Sequence, residues 1–474
     1  MTVSLVKEKL LIDGEWIDTD QTHKIYNKYT NELFTEISKA DEKMVDKAVE
    51  GAFKAYKKEN FPPQQRYKVL MKTAELLLEK LEEIAKIIAQ EGGKPITEAR
   101  TEVRRSVSTF QMAAEESKRL VGEIIPNYNA EGRFIYTVKK PVGVVVAITP
   151  FNFPLNLVSH KVAPALAAGN PVIIKPASDT ATTTIKLSEI LVEAGVPKGY
   201  LHCLVGSGSV VGEQLLQDER IAHYTFTGSP EVGKHIQKTI GFRKATLELG
   251  ANSATIVHHD GDIEAAASKL AKMAFANAGQ ICISVQRIYV QESIRERFLE
   301  MFLHQVSLLK VGDPLDPETN VGPMISGKEV ARIESWVKEA ELQGANIEIG
   351  GKREGNIFYP TVLTNVTGDM KVLREETFAP VVSVIPYDTI EEAIDMVNDS
   401  KYGLQAGIYT KDLALTYKIP YLLEVGGVII NDTCCYRIDQ MPYGGVKESG
   451  LGKEGPAFAI KELVEDITVV VNLE

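Results

Sequence analysis

The chain has 474 residues, enough for two or three domains with a sizeable core. Hydrophobic residues at 44% and charged residues at 25% are ordinary globular usage and exclude a disordered or fibrous chain. A net charge of −11 has the wrong sign for binding phosphate backbones, so nucleic acid is not an expected partner. Residues 1–16 alternate charge with apolar side chains and lack the basic-then-apolar pattern of a secretory signal. Over 41–119 the pattern is helical: Met44, Val45, Ala48, Val49, Ala52 and Phe53 recur at three and four, and the theme runs on to Gly92 and Gly93. From Pro141 short continuous apolar runs take over at 142–148, 172–174, 201–205 and 224–226, with helical stretches near 157–168, 180–194 and 208–216 between them. Strands buried on both faces and alternating with helices predict a parallel, doubly wound sheet, whose ligands sit at the strand carboxyl ends. The most apolar region, 141–177, is broken by Pro150, Asn152, Pro154, Asn156, His160 and Lys161, so no membrane span is expected and the protein reads as cytoplasmic.

Beyond Glu248 a second α/β stretch follows, with helices expected at 262–278, 293–306 and 329–343 and strands at 287–290, 380–385, 405–409 and 427–430. Two α/β lobes with a cleft between them is the economical reading. Glycine and proline clusters at 350–355 and 443–455 read as loops. The alternating tail at 468–471 is suited to pair as an edge strand with 134–138 or with another subunit.

Four cysteines, at 203, 282, 434 and 435, are too few for a disulfide framework and have no metal-ligand spacing, so no metal is expected. Gly206-Ser-Gly208-Ser-Val-Val-Gly212 follows a strand and opens a helix as a dinucleotide loop does, but its third glycine comes one residue late. Gly228-Ser-Pro-Glu-Val-Gly233-Lys234-His235 nearly completes a phosphate-binding loop, yet His235 stands where a magnesium-binding hydroxyl belongs. Both also fit plain strand-to-helix turns. Cys282 sits on a small-residue turn just past a helix, where a lone thiol is either an inert core group or a nucleophile.

Seven segments occur together: Thr149-Pro-Phe-Asn-Phe-Pro-Leu155, Ile174-Lys-Pro-Ala177, Phe226-Thr-Gly-Ser-Pro-Glu-Val-Gly233, Leu247-Glu-Leu-Gly250, Gly279-Gln-Ile-Cys282, Glu375-Glu-Thr-Phe-Ala-Pro380 and Met441-Pro-Tyr-Gly-Gly-Val-Lys-Glu-Ser-Gly450. In order and spacing they resemble the NAD(P)-dependent aldehyde dehydrogenase superfamily over nearly the whole chain. The resemblance implies two Rossmann-like doubly wound lobes with a small β-arm. It places a cofactor domain at 1–120 and 140–247, a catalytic domain at 248–443, the arm at 121–139 and 464–474, and a return to the cofactor domain at 444–463.

Carried over by position, Cys282 looks like the nucleophile that forms a thiohemiacetal and then a thioester, and Glu248 like the base that activates the hydrolytic water. The Asn152 amide and the Cys282 backbone N–H look like the oxyanion donors. For NAD or NADP, Lys175 matches a residue holding the adenosine ribose and Ser229 one meeting the pyrophosphate. Glu376 and Phe378 match contacts to the nicotinamide ribose and ring, and Thr149, Pro150, Phe151, Gly208, Phe226, Leu249 and Gly250 line the rest. Three departures stand out: Ala379 and Ala251 where glycine is usual, and Phe151 where tryptophan is commoner. Ser178 occupies a place where many NAD-preferring relatives carry a glutamate, which implies tolerance of NADP unless Asp179 supplies the carboxylate.

Arg437 falls where many relatives place an aromatic or apolar residue of the aldehyde pocket, with Cys435 and Tyr443 in the same loop and Arg105 as a second anchor. A guanidinium there suits an anionic or hydroxylated aldehyde, such as a semialdehyde, lactaldehyde or a sulfo- or phospho-substituted relative. The bland reading is a salt bridge from Arg437 to Asp439 or another loop carboxylate, and a surface role for Arg105. Two rival functions remain at this point: a cysteine hydrolase or acyltransferase using Cys282 and Glu248 without a redox cofactor, and a nucleotide enzyme built on Gly228 to His235. The terminal strand implies a homodimer or homotetramer.

Overall fold

The computed structural model describes residues 7–58, 60–128 and 132–473. The first six residues of the expected cofactor domain, residue 59, residues 129–131 of the expected arm and residue 474 lie outside that set.

The helical lead-in resolves into four helices, Glu42–Lys58, Pro63–Glu79, Leu81–Gly92 and Ile96–Ser117. The first shows the logic: Val45, Ala48, Val49, Ala52 and Ala55 form its buried stripe, while Glu42 in the first turn and Lys57 and Lys58 in the last complement the helix dipole. Gly93, at φ 75°, ends the third helix in the left-handed conformation. Strands Leu10–Ile12, Glu15–Ile17, Thr22–Tyr26 and Leu33–Ser38 precede these helices, in a region for which the sequence reading offered no element.

The first large sheet has five parallel strands at its centre, in spatial order Leu201–Cys203, Val172–Lys175, Val144–Ile148, Ile221–Thr227 and Lys244–Glu248. The first strand in sequence thus lies at the middle, and the chain changes direction between Val144–Ile148 and Ile221–Thr227. That switch point is where a doubly wound sheet opens a ligand crevice. Antiparallel pairs close both edges, Leu10–Ile12 on one side and Gly450–Leu451 on the other. The latter lies inside 443–455, read as all loop, and it clamps the glycine-rich segment onto the end of strand Lys244–Glu248.

The second sheet orders Asn346–Ile349, Thr361–Thr364, Val381–Tyr387, Arg287–Gln291, Ala254–Val257, Gln405–Tyr409 and Gly427–Ile430, with only the first strand antiparallel to its neighbour. The helix expected over 262–278 stops earlier, at Ile263–Phe275, because Asn277, Ala278 and Gly279 all take positive φ (48°, 54° and 69°). Gly279 is required there, since a Cβ would meet the Ala379 carbonyl oxygen at 2.1 Å. This left-handed turn delivers Cys282.

Strand Val464–Asn472 pairs antiparallel with Arg133–Pro141, matching Thr468 with Thr137 and Val471 with Phe134, and Ile124–Ile125 adds a third strand. Phe134, Val138, Ile467, Val470 and Val471 are exposed on this ribbon. Helix Asn156–Ala168 is buried over its full length, although it carries Asn156, His160 and Lys161. A helix buried all round needs partners for those groups, and it finds them in the C-terminal loop.

Candidate active site

Asn152 and Cys282 come from different lobes and meet through one bond: Asn152 Nδ2 donates to the Gln280 carbonyl at 2.9 Å. The Asn277 amide donates back to the Asn152 carbonyl at 3.3 Å. The second Asn152 N–H and the Cys282 backbone N–H meet no acceptor among the described residues. Both are therefore free to receive an oxyanion on the same turn. The Cys282 sulfur lies 2.8 Å from the Tyr443 hydroxyl, and burial, only partly offset by that hydroxyl and Arg437, pushes its pKa up to about 11.

Glu248 ends strand Lys244–Glu248, buried, with neither carboxylate oxygen hydrogen-bonded. Burial, with Glu454 adding to it, holds this carboxyl well above the usual range, against the pull of Arg437, Lys161 and Lys453. An unpaired carboxyl with a raised pKa is a competent base. The glycine that follows Tyr443 lets the loop reach it: a Cβ on Gly444 would stand 2.8 Å from Glu248 Oε1 and 2.5 Å from the Gly452 carbonyl. Cys282, Glu248 and Asn152 thus converge where the two lobes meet.

A cavity of about 510 Å³ opens onto Cys282, and Arg105, Arg437, Cys435 and Tyr443 line it. All four residues assigned to the substrate by sequence are thereby brought together. Arg437 has a carboxylate partner, but it is Glu454 at 3.0 Å and not Asp439. Asp439 instead takes a two-point fork from Arg105, at 2.8 and 3.2 Å, and hydrogen bonds from His160 and Asn156. Against the effect of burial, His160 and Arg105 hold Asp439 well below the usual carboxylate range. Lys161 also reaches Glu454, at 2.7 Å, so Glu454 serves two cations. Arg105 is half-buried at the cavity wall and not a plain surface residue. The Arg437 guanidinium lies 3.7 Å from the Tyr443 ring centroid, and its buried Nε has no acceptor.

Glu454, Lys161 and His160 were absent from the sequence reading of the site, and Tyr443 was assigned to the aldehyde pocket without a contact to the sulfur. The signal for two of them was present: His160 and Lys161 interrupt an otherwise apolar, buried stretch, and buried charge requires a partner.

At the carboxyl ends of the first sheet, Lys175 is buried and meets no carboxylate among the described residues, and burial lowers its pKa. Such an orphaned cation fits the hydroxyls or phosphate of an adenosine ribose. Ser178 lies beside it in the short turn Ser178–Thr180, and the neighbouring Asp179 faces His23 at 3.6 Å, with Lys28 also close enough to lower its pKa. Ser229 caps helix Pro230–Thr239, accepting from Val232 N–H at 3.4 Å, and a Cβ on Gly208 would meet nothing within 4 Å. Thr149 and Pro150 lead from strand Val144–Ile148 into this crevice; the Phe226 ring packs beneath Gly228, and Leu249 beneath Gly233. Glu376 accepts from Ala251 N–H at 3.0 Å, burial raises its pKa to about 7, and a Cβ on Gly250 would approach its Oε2 to 2.9 Å. Phe378 meets Phe151 edge-on at 5.8 Å and itself takes the positive φ of its segment, 44°, so Ala379 replaces glycine without backbone strain. His235 pairs with Glu213 at 2.8 Å.

Two doubly wound lobes, a crevice at a switch point and a half-buried thiol beside an unpaired carboxyl and an amide define the class as a nicotinamide-dependent dehydrogenase. The model of the Aldehyde dehydrogenase family matches residues 16–469, and the chain belongs to that family. It is 53% identical over 467 residues to a 3-sulfolactaldehyde dehydrogenase of Priestia aryabhattai, covering 98% of each chain. To a lactaldehyde dehydrogenase of Methanocaldococcus jannaschii it is 43% identical over 469 residues, covering 98% of this chain and all of that one. The solved structure of glyceraldehyde-3-phosphate dehydrogenase GapN from Methanocaldococcus jannaschii, complexed with NADP, superposes with a TM-score of 0.92 at 42% identity, covering 96% and 100% of the two chains. The protein is an NAD(P)-dependent aldehyde dehydrogenase, which sets aside the hydrolase and nucleotide-enzyme readings. Among the described residues no helix is long and apolar enough to cross a membrane.

Proposed function

We propose that the enzyme oxidises a small aldehyde whose tail carries an anion or a hydroxyl, and the charge of the cavity carries this reading. Arg105, Arg437 and Lys272 line it, backed by buried Lys94 and Lys161. Facing them, Asp439, Glu454 and Glu102 each already sit in an ion pair. Glu98 and Glu248 have burial-raised pKa values, about 7 for the former, which weakens the negative charge they return. The surplus is positive, and a sulfonate, phosphate or carboxylate tail neutralises it. Relatives named for 3-sulfolactaldehyde, lactaldehyde and glyceraldehyde 3-phosphate fit that class.

In the reaction, the Cys282 thiolate attacks the aldehyde carbon, and the oxygen gains charge within reach of the Asn152 amide and the Cys282 N–H. Glu248 takes the proton of the hydrolytic water, which then releases the carboxylate from Cys282. The bound nicotinamide supplies the hydride acceptor that makes the oxidation possible. Lys175, Ser178, Ser229, Glu376 and Phe378, with Thr149 to Phe151, Gly208, Phe226, Leu249 and Gly250, would hold the dinucleotide, and the absence of a carboxylate at Ser178 admits NADP beside NAD. The apolar Val464–Asn472 ribbon supports a homodimer or homotetramer, and four free cysteines suit a reducing cytoplasm. The test is a panel of aldehydes with each cofactor, followed by NAD(P)H absorbance. 3-Sulfolactaldehyde, glyceraldehyde 3-phosphate or succinic semialdehyde should exceed propanal in kcat/KM at least tenfold, and parity with propanal would defeat the proposal.

A further inference from the structure

Burial raises the Cys282 pKa to about 11 even with the Tyr443 hydroxyl and Arg437 pulling it down, so attack by the sulfur depends on the groups that favour its thiolate. Glu248 can take the proton, but a carboxylate beside a thiolate opposes the charge it creates. Something must stabilise the sulfur itself. Among the described residues, the side-chain polar atom in hydrogen-bond contact with Cys282 Sγ is the Tyr443 hydroxyl, at 2.8 Å.

We infer that Tyr443 is a catalytic hydrogen-bond donor to the Cys282 thiolate, kept polarised by the Arg437 guanidinium stacked on its ring. The hydroxyl belongs to a rigid relay. Arg437 lies 3.7 Å from the ring centroid, Glu454 fixes Arg437 at 3.0 Å, and Lys161 fixes Glu454 at 2.7 Å. A cation over the ring draws electron density from the phenol and strengthens its O–H as a donor. Burial and the neighbouring sulfur keep the Tyr443 pKa well above its ordinary value, so the phenol stays protonated and never competes as an anion.

Activation then balances. The Cys282 S–H bond breaks, its proton passes to a Glu248 oxygen, and the Tyr443 O–H turns from accepting to donating toward sulfur. When the thiolate bonds to the aldehyde carbon, sulfur loses its charge and the bond weakens, which favours attack without holding the product. The other groups that act on the sulfur are Glu248, Glu376 and Arg437, and Arg105, Glu98 and Lys272 stand on the remaining cavity walls. Removing the hydroxyl leaves all of these in place.

The assignment rests on Cys282 being the nucleophile proposed above, and its test reads the thiol without turnover. The rate of Cys282 alkylation by iodoacetamide is measured from pH 6 to 11 in the wild-type protein and in Tyr443→Phe, which keeps the ring and its packing. Loss of one hydrogen bond to the charged form should move the alkylation profile alkaline by about one pH unit and slow alkylation about tenfold at pH 7.5, with the gap between the two proteins narrowing as pH nears 11. The acid limb of kcat/KM should move with it. Arg437→Lys, which keeps the charge, should lie nearer wild type than Arg437→Met. An unmoved profile with Cys282→Ala inactive overturns the role of Tyr443 alone, as does an equal loss at every pH. Full turnover in Cys282→Ala overturns both assignments.

Discussion

Replacing Arg437 by leucine separates an anion-binding cavity from a loop that merely needs an ion pair. The guanidinium gives one N–H to Glu454 at 3.0 Å and rests its face on Tyr443, so a substrate anion gains only its remaining edge, including the unpaired Nε. A charge-assisted hydrogen bond contributes roughly 1.5–3 kcal/mol, and sharing the cation with Glu454 places the loss at the low end. About 1.4 kcal/mol corresponds to a tenfold rise in KM for the anionic aldehyde. Breaking a buried ion pair usually costs about 3–5 kcal/mol because the orphaned partner stays charged, but Lys161 still holds Glu454 at 2.7 Å in the variant. Folding should therefore persist, as circular dichroism at the assay temperature will show. Steady-state kinetics with 3-sulfolactaldehyde and with propanal give the comparison. A loss at least tenfold greater on the sulfonate than on propanal supports the reasoning, the part common to both reporting Arg437 acting through Tyr443, and equal losses on both would mean that Arg437 acts only on Tyr443 and its loop. Arg105→Leu should follow the same pattern more weakly, since its fork is already spent on Asp439.

Glu248→Gln should keep a slowed single-turnover burst of NAD(P)H, because the thiol proton must then leave to water, and lose steady-state turnover, because the thioester forms but waits for its hydrolytic base; stopped-flow absorbance reads both phases. Since burial raises the Glu248 pKa, the basic form grows as pH rises, so wild-type deacylation should climb with pH above the ordinary carboxylate range and the variant should lack that limb. With Asp179 facing His23, kcat/KM for NAD should exceed that for NADP by less than ~1,000-fold, about 4 kcal/mol, and Ser178→Glu should shift the ratio toward NAD at least tenfold. Val470→Lys, on the exposed ribbon face, should lower the mass found by light scattering to that of a monomer if the arm joins subunits; an unchanged mass refutes that role.

The fold was legible where burial imposes a single period. The runs at 142–148, 172–174 and 224–226 are apolar on both faces, and each became a central parallel strand. Residues 405–409 and 427–430 match their strands residue for residue. Leu10–Ile12 and Gly450–Leu451 escaped notice because they are short: with three and two residues they display no alternation. The end of helix Ile263–Phe275 was misplaced because Asn277 and Ala278 have side chains that do not demand positive φ. A carbonyl approaching Gly279 forces the turn, and that contact lies a hundred residues away in sequence.

The site divides along the same line. The residues proposed to act on the reacting atoms sit in local motifs at strand ends and turns, so a linear pattern carries Cys282, Glu248 and Asn152 together. Residues that set the charge around them do not. Arg437 was visible as a cation in an apolar position, yet its partner could be assigned only once the helix holding His160 and Lys161 was laid against the loop holding Asp439 and Glu454. Two carboxylates were available to two arginines, and the sequence offers no reason to prefer either pairing. The structure decides by reach: Asp439 closes on Arg105, His160 and Asn156, which leaves Glu454 to Arg437 and Lys161. That choice presses the Arg437 guanidinium onto the Tyr443 ring and turns the Tyr443 hydroxyl to the sulfur. A phenylalanine would fill the same space and satisfy the same apolar pattern, so the single oxygen that distinguishes this site is the feature a motif is least able to report.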